Sequence, residues 1–138
     1  MKSHDVAMAL RGAYLTLHRH ANGCLLKYDF TADQFVCLTV LDENDRLTQQ
    51  ELALRTASSP QTIHTIIQVL EKRGLIIKKR NPANRRTFSI SITQKGREVL
   101  KNLFAEIGKV NERMLTVFDK EETDMLFDFL NRISKKLH

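Results

Sequence analysis

Ser58-Ser59-Pro60-Gln61-Thr62-Ile63-His64-Thr65-Ile66-Ile67-Gln68-Val69-Leu70-Glu71-Lys72-Arg73-Gly74-Leu75-Ile76 is the stretch on which the fold turns. A Ser that can cap orphan backbone amides, followed by Pro in the first turn, starts a helix, because Pro lacks only an N–H that would be unpaired there anyway. Gly74 directly after Lys72-Arg73 ends it, and Leu75, Ile76 and Ile77 open a strand. Between those marks Ile63, Ile66, Ile67 and Leu70 fall at i, i+3, i+4 and i+7 and face a core. The other side carries Gln61, Thr62, His64, Thr65 and Gln68. A merely solvated helix face more often holds Glu and Lys, which are better helix formers than Thr or His, so this uncharged hydrogen-bonding face reads as a contact surface.

Upstream, the pattern supplies the partner helices. Thr31-Ala32-Asp33-Gln34 and Thr48-Gln49-Gln50-Glu51 are capping boxes. The first opens a helix burying Phe35, Leu38 and Leu41; the second opens a short helix with Leu52 and Ala53 inward, ending near Ala57. Further upstream, Val6, Leu10, Ala13, Leu17, Ala21, Cys24 and Tyr28 recur at steps of three and four, an amphipathic helix of about six turns. Downstream, Lys78 to Arg86 reads as a loop centred on Asn81-Pro82-Ala83-Asn84. Phe88, Ile90 and Ile92 alternate with Thr87, Ser89 and Ser91 as a return strand.

Helix, turn, helix and basic-tipped hairpin, in that order, make a winged helix-turn-helix, whose second helix is the one that enters a DNA major groove. Thr93 then caps a long helix with Val99, Leu103, Ile107, Val110, Met114 and Val117 on one stripe, and Asp119 with Glu122 starts a last helix bearing Leu126, Phe129, Leu130, Ile133 and Leu137. Gly96 and Gly108 weaken the longer helix by roughly 1 kcal/mol each relative to Ala. Leu100, Phe104, Met125 and Phe127 lie off these stripes, and helices apolar on more than one face need more than one neighbour. The first and the last two helices are therefore expected to form a second layer that pairs with another copy of the chain. The expected fold class is mainly α with a small β-hairpin wing. Its winged unit spans residues 31–93, and its helical dimerisation region spans residues 1–30 and 94–138.

Charge supports the same division. The chain has 138 residues and a formal charge of +6. The 26 residues from Lys72 to Arg97 hold nine Lys or Arg and no Asp or Glu, whereas the remaining 112 carry thirteen basic and sixteen acidic side chains, a net of −3. A basic segment on a slightly acidic body suits a polyanion approached from one side. Enzyme chemistry finds little support: there is no Gly-rich phosphate loop, no Gly-x-Ser-x-Gly and no metal-spaced His or Cys cluster, so neither catalysis, cofactor nor metal is expected. His18 and His20, two apart, point to different helix faces. The longest apolar run, Val6 to Leu10, is too short for a signal peptide or membrane span. A cytoplasmic chain without membrane contact is expected, with Cys24 and Cys37 reduced.

In register and order the chain resembles the MarR family of bacterial transcriptional regulators. Leu47-Thr48, Glu51-Leu52-Ala53, Thr62, Leu70-Glu71-Lys72-Arg73-Gly74-Leu75-Ile76, Arg85-Arg86 and Ile92-Thr93-Gln94-Lys95-Gly96 carry the resemblance. It implies a homodimer of two winged helices on a palindromic operator in double-stranded DNA. Docked in that way, Gln61, Thr62, His64, Thr65 and Gln68 meet the major groove, where Gln can pair with adenine and Thr methyls can meet thymine methyls. Ser59 and the helix N-terminus hold phosphate. The resemblance also places Arg85 in the minor groove, Arg86 as the residue orienting the wing, and Lys78, Lys79 and Arg80 on the DNA backbone. Where the family wing usually has Asp-Arg-Arg, this chain has Asn84-Arg85-Arg86; Asn keeps one hydrogen bond, gives up the charge attraction, and implies a looser, more positive wing.

Relatives commonly respond to small aromatic acids or other lipophilic compounds, which makes Tyr14, His18 and Cys37 candidate lining residues for an effector. Tyr14 and His18 sit one helical turn apart and share a face. Two alternatives stay open: an oxidant sensor using Cys24 and Cys37, although neither sits in a basic, helix-start setting that lowers a thiol pKa, and a winged helix used as a protein-interaction module, against which the basic wing argues.

Overall fold

The computed structural model describes residues 1–138, the side chain of Arg85 excepted. In chain order it runs α1 (Ser3–Leu25), a 3-10 turn (Leu26–Tyr28), α2 (Ala32–Glu43), β1 (Leu47–Thr48), α3 (Gln49–Arg55), α4 (Pro60–Lys72), β2 (Ile76–Asn81), β3 (Asn84–Ile92), α5 (Gln94–Leu115) and α6 (Lys120–Leu137). The fold is mostly helical, with the antiparallel sheet order β1-β3-β2.

Local chemistry sets the helix starts. Thr31 Oγ1 accepts the Gln34 amide at 3.1 Å while Gln34 Oε1 accepts the Thr31 amide at 3.1 Å. The same reciprocal pair forms at Thr48–Glu51 and Asp119–Glu122, so orphan donors at these three helix starts are satisfied within one turn. Asn22 of α1 adds a long-range cap, its Oδ1 accepting the Ala32 amide at 2.7 Å. That bond joins the end of the first helix to the start of the second.

The core gathers Phe35, Leu38 and Leu41 of α2, Leu52 of α3, Ile63, Ile66, Ile67 and Leu70 of α4, Ile76 and Ile90 of the sheet, and Leu100, Leu103 and Ile107 of α5. Leu100, expected off the main stripe, is instead 2% exposed. The reason is Gly96. A Cβ there would overlap the Leu75 carbonyl oxygen and lie 2.7 Å from Ile92 Cγ1, so its absence lets the first turn of α5 seat on the start of the sheet and carries Leu100 inward. By contrast, a Cβ at Gly108 would meet nothing within 4 Å.

The sheet differs from the expected loop-tipped hairpin. Lys78, Lys79 and Arg80 are strand residues, paired with Ile90, Ser89 and Phe88, and the connection narrows to Pro82-Ala83 between strand ends with an irregularity at Arg80/Asn81. Strand alternation lets successive basic side chains leave on opposite faces, so a charge run does not prevent pairing. β1, two residues long and overlapping a helix cap, pairs Leu47 with Ile90 and Thr48 with Ser89; the Ser91 hydroxyl reinforces it by donating to the Asp45 carbonyl at 2.8 Å.

α1 packs on its own chain chiefly through its last two turns, where Ala21 and Cys24 are half-buried and Leu25 is fully buried, while Val6 and Leu10 stay exposed. Its end is tied to α5 by Glu106, which receives Lys27 at 3.2 Å and the Tyr28 hydroxyl at 3.0 Å. These partners hold the Glu106 carboxyl below its ordinary pKa. α6 buries no residue against its own chain. Replacement Gly96→Ala is expected to lower the unfolding free energy by about 1–3 kcal/mol, as overpacking against backbone does; urea denaturation showing wild-type stability would contradict the close approach.

Candidate nucleic-acid interface

α3 and α4 are joined by a tight turn in which Ala57 adopts φ 54° and the Thr56 hydroxyl reaches the Leu52 carbonyl at 2.8 Å. Ser59 Oγ then accepts the Thr62 amide at 3.1 Å and donates to Thr62 Oγ1 at 2.8 Å. With the start of α4 fixed in this way, its two faces separate. Ile63, Ile66, Ile67 and Leu70 are buried, and Gln61, Thr62, His64, Thr65 and Gln68 are all exposed. By helical period Gln61, Thr65, Gln68 and Lys72 form the outermost line, flanked by Thr62 and His64. The Thr65 hydroxyl donates back to the Gln61 carbonyl at 3.2 Å, which turns its methyl group outward.

A polar hollow of about 540 Å³ opens beside this face. Ser59, Gln61, Thr62 and Thr65 form one wall, and His18 and Asn22 of α1 with Asp33 and Gln34 of α2 face them. Ser59 and three of the α4 candidates are thus brought together, whereas His64 and Gln68 lie outside the hollow.

The basic segment divides by use. Arg73 donates to the Asp29 carbonyl at 2.6 Å with its guanidinium 4.0 Å from the Phe30 ring centroid, while Lys95 Nζ donates to the Arg73 carbonyl at 3.0 Å. Arg97 pairs with Asp42 at 3.4 Å. These three cations brace the end of α4 and the start of α5, and the two at α4 also suit the negative end of its dipole. On the wing, Lys78 and Arg80 share the face of Phe88, and alternation places Lys79 on the other face. The three do not form one cluster. Arg86 is exposed, and its backbone amide donates to Asn84 Oδ1 at 3.1 Å. The Arg85 side chain lies outside the described residues.

The candidate effector residues separate likewise. Tyr14 and His18 stack with centroids 5.5 Å apart and line a cavity of about 330 Å³ together with Phe35, Val36 and Ile107. Cys37 is absent from that wall; it is fully buried in the core. Burial pushes its thiol up to about 12. At Cys24 burial, aided by the Glu106 charge, also raises the thiol, which donates to the Ala21 carbonyl at 3.3 Å. Both thiols are therefore protonated at neutral pH and poor nucleophiles. Among the described residues no group of three or more His, Cys, Asp or Glu could hold a metal ion, and no helix is long and apolar enough to cross a membrane.

Sequence reasoning missed the bracing roles of Asn22, Arg73 and Lys95, all made to distant backbone groups that no local spacing announces. It also read Phe88 only as an apolar strand position.

The MarR family model matches residues 28–87. The HTH-type transcriptional regulator MhqR of Bacillus subtilis is 26% identical over 140 residues, covering 99% of this chain and 97% of its own. A MarR-family transcriptional regulator from Rhodococcus sp. RHA1 superposes with a TM-score of 0.87 at 21% identity, over 96% of this chain and 94% of that one. Bordetella bronchiseptica BpsR, whose DNA binding is regulated by 6-hydroxynicotinic acid, superposes with a TM-score of 0.86 at 22% identity, over 94% and 92% of the two chains. Dilute hydrogen peroxide is expected to leave Cys37 unmodified in the native protein by intact-mass spectrometry; its rapid oxidation would contradict the buried-thiol account.

Proposed function

We propose that the chain is a transcriptional regulator of the MarR family, as the family-model match over residues 28–87 and the likeness to MhqR support, and that it is a repressor that binds a palindromic operator as a homodimer and is released by a small effector. The observation that carries this reading is the exposed, uncharged hydrogen-bonding face of α4 set beside a basic wing. Residues 31–93 act as the DNA-binding unit. Gln61, Thr62, His64, Thr65 and Gln68 read bases, Ser59 and the α4 N-terminus hold phosphate, Arg85 reaches into the minor groove with Arg86 orienting the wing, and Lys78, Lys79 and Arg80 contact the DNA backbone.

Residues 1–30 and 94–138 form the dimer layer. Support comes from the apolar stripe of α6, where Phe129, Leu130, Ile133 and Leu137 are exposed in the single chain. A groove of about 490 Å³ also opens between α1 and the end of α5, walled by Ala13, Leu17, Val110, Met114 and Val117. Two copies supply for each other the cover that one chain lacks.

The effector occupies the cavity bounded by Tyr14 and His18, between the dimer layer and the winged unit. Its charged or titratable walls are Asp33, His18 and Tyr14, with no Lys or Arg among the described residues, so a lipophilic, uncharged aromatic suits it better than an aromatic acid. The control of BpsR by 6-hydroxynicotinic acid supports a small-molecule effector, although that compound is an aromatic acid and the preference for an uncharged one rests on this cavity's walls alone. Oxidant sensing through Cys24 and Cys37 is the alternative reading on the same fold, against which the full burial of Cys37 counts, and the relatives carry the names of regulators rather than enzymes.

Footprinting on the promoter of its own gene tests the proposal. Protection of two half-sites about one helical turn apart is expected, relieved by an uncharged aromatic compound. In sedimentation equilibrium the chain should run as a dimer that Leu130→Asp converts to monomer with loss of the footprint. A monomer that protects one half-site would contradict the reading.

A further inference from the structure

Phe88 stands exposed on β3, directly opposite Arg80 of β2, with Lys78 one same-face position further along. Lys78 Nζ lies 5.2 Å and the Arg80 guanidinium 5.4 Å from the centre of its ring. Both distances are within the range at which a cation is drawn to an aromatic face. Phe88 lies outside the buried core, and its neighbours along the strand, Thr87 and Ser89, are polar. Its packing contribution to the fold is accordingly small, whereas its ring is shared by two like charges on long stems that would otherwise repel each other. Lys79 leaves from the opposite face, where its carbonyl accepts the Ser89 hydroxyl at 3.5 Å. The ring thus sorts the wing cations into a held pair and one that is not held by it.

We propose that Phe88 is a positioning residue for nucleic-acid binding: its ring holds Lys78 and Arg80 together on one face of the wing, so that they meet neighbouring phosphates of duplex DNA as a pre-ordered pair. This rests on the DNA-binding reading above. Fixing the positions of the two charges relative to each other before contact removes part of the entropy lost on binding, and the pair's release of counterions gives the effect a salt signature. Phe88 acts through Lys78 and Arg80, so its contribution vanishes when both are removed.

The test is fluorescence anisotropy of the full chain with a labelled 30-base-pair duplex of mixed sequence, across a salt series. Phe88→Leu and Phe88→Ile, the latter β-branched to suit a strand, are expected to weaken binding by about fivefold and to flatten the salt dependence. Phe88→Tyr, which keeps a π-face, should behave as wild type. In a Lys78→Ala/Arg80→Ala background, Phe88→Leu should add no further loss. Unchanged affinity in both non-aromatic variants overturns the proposal, as does an equal loss in both backgrounds or loss of fold in both variants by circular dichroism, since either makes the ring a purely structural element. If wild type itself shows no salt-dependent binding to the duplex, the DNA-binding reading fails and this inference with it; salt-dependent wild-type binding with indifferent Phe88 variants removes this inference alone.

Discussion

Burial of Ile63, Ile66, Ile67 and Leu70 fixes the rotation of α4 about its own axis, and the orientation of every proposed base-reading side chain follows from it. Four branched side chains in one core cannot be exchanged for Gln61, Thr65 and Gln68 without placing amides and hydroxyls where no partner waits, at a cost of several kcal/mol. Translation along the axis is fixed at the ends. Ser59 holds the first turn, and Gly74, at φ 75°, turns the chain into the sheet beside the Arg73 and Lys95 braces. A helix held in this way presents one defined face, which is what reading a base sequence requires.

The same constraint separates two uses of positive charge. Arg73, Lys95 and Arg97 spend their charge on carbonyls and a carboxylate within the framework, although by composition they belong to the same +9 segment as the wing. Charge counted along the sequence therefore overstates what can be offered to DNA. Apart from Lys72 at the end of α4, the wing holds the remainder, and since phosphate contacts carry no sequence information, it is suited to affinity more than to choice of site. Choice falls to the uncharged face of α4.

Much of this was legible in the residues. Capping boxes at Thr31, Thr48 and Asp119 and the Ser59-Pro60 start placed four helices, because caps are made within one turn and leave their signature at fixed spacing. What the sequence hid was made at a distance. β1 has two residues and exists only because β3 is there to pair with it. Leu100 faces the core because Gly96, remote along the chain from most of that core, permits a close approach to Leu75. Basic residues at 78–80 suggested a loop, since charge and Pro82 mimic loop composition, yet the pairing of Lys78 with Ile90 makes them strand. At the site, spacing identified the outward face of α4 but could not show that Cys37 lies apart from Tyr14 and His18.

The central claim is a division of labour: α4 supplies discrimination between sequences and the wing supplies salt-dependent affinity. It is tested most directly by measuring, across a salt series, the affinity for a duplex selected by the wild-type chain and for an unrelated duplex, with two variants. Gln61→Ala/Thr65→Ala/Gln68→Ala should keep the wild-type slope of log K against log salt while the specific-to-unrelated ratio collapses toward one. Lys78→Ala/Lys79→Ala/Arg80→Ala/Arg86→Ala should flatten that slope, by up to about 0.9 for each phosphate no longer neutralised, while retaining most of the ratio. A slope that flattens with the α4 variant, or a ratio that collapses with the wing variant, would contradict the account.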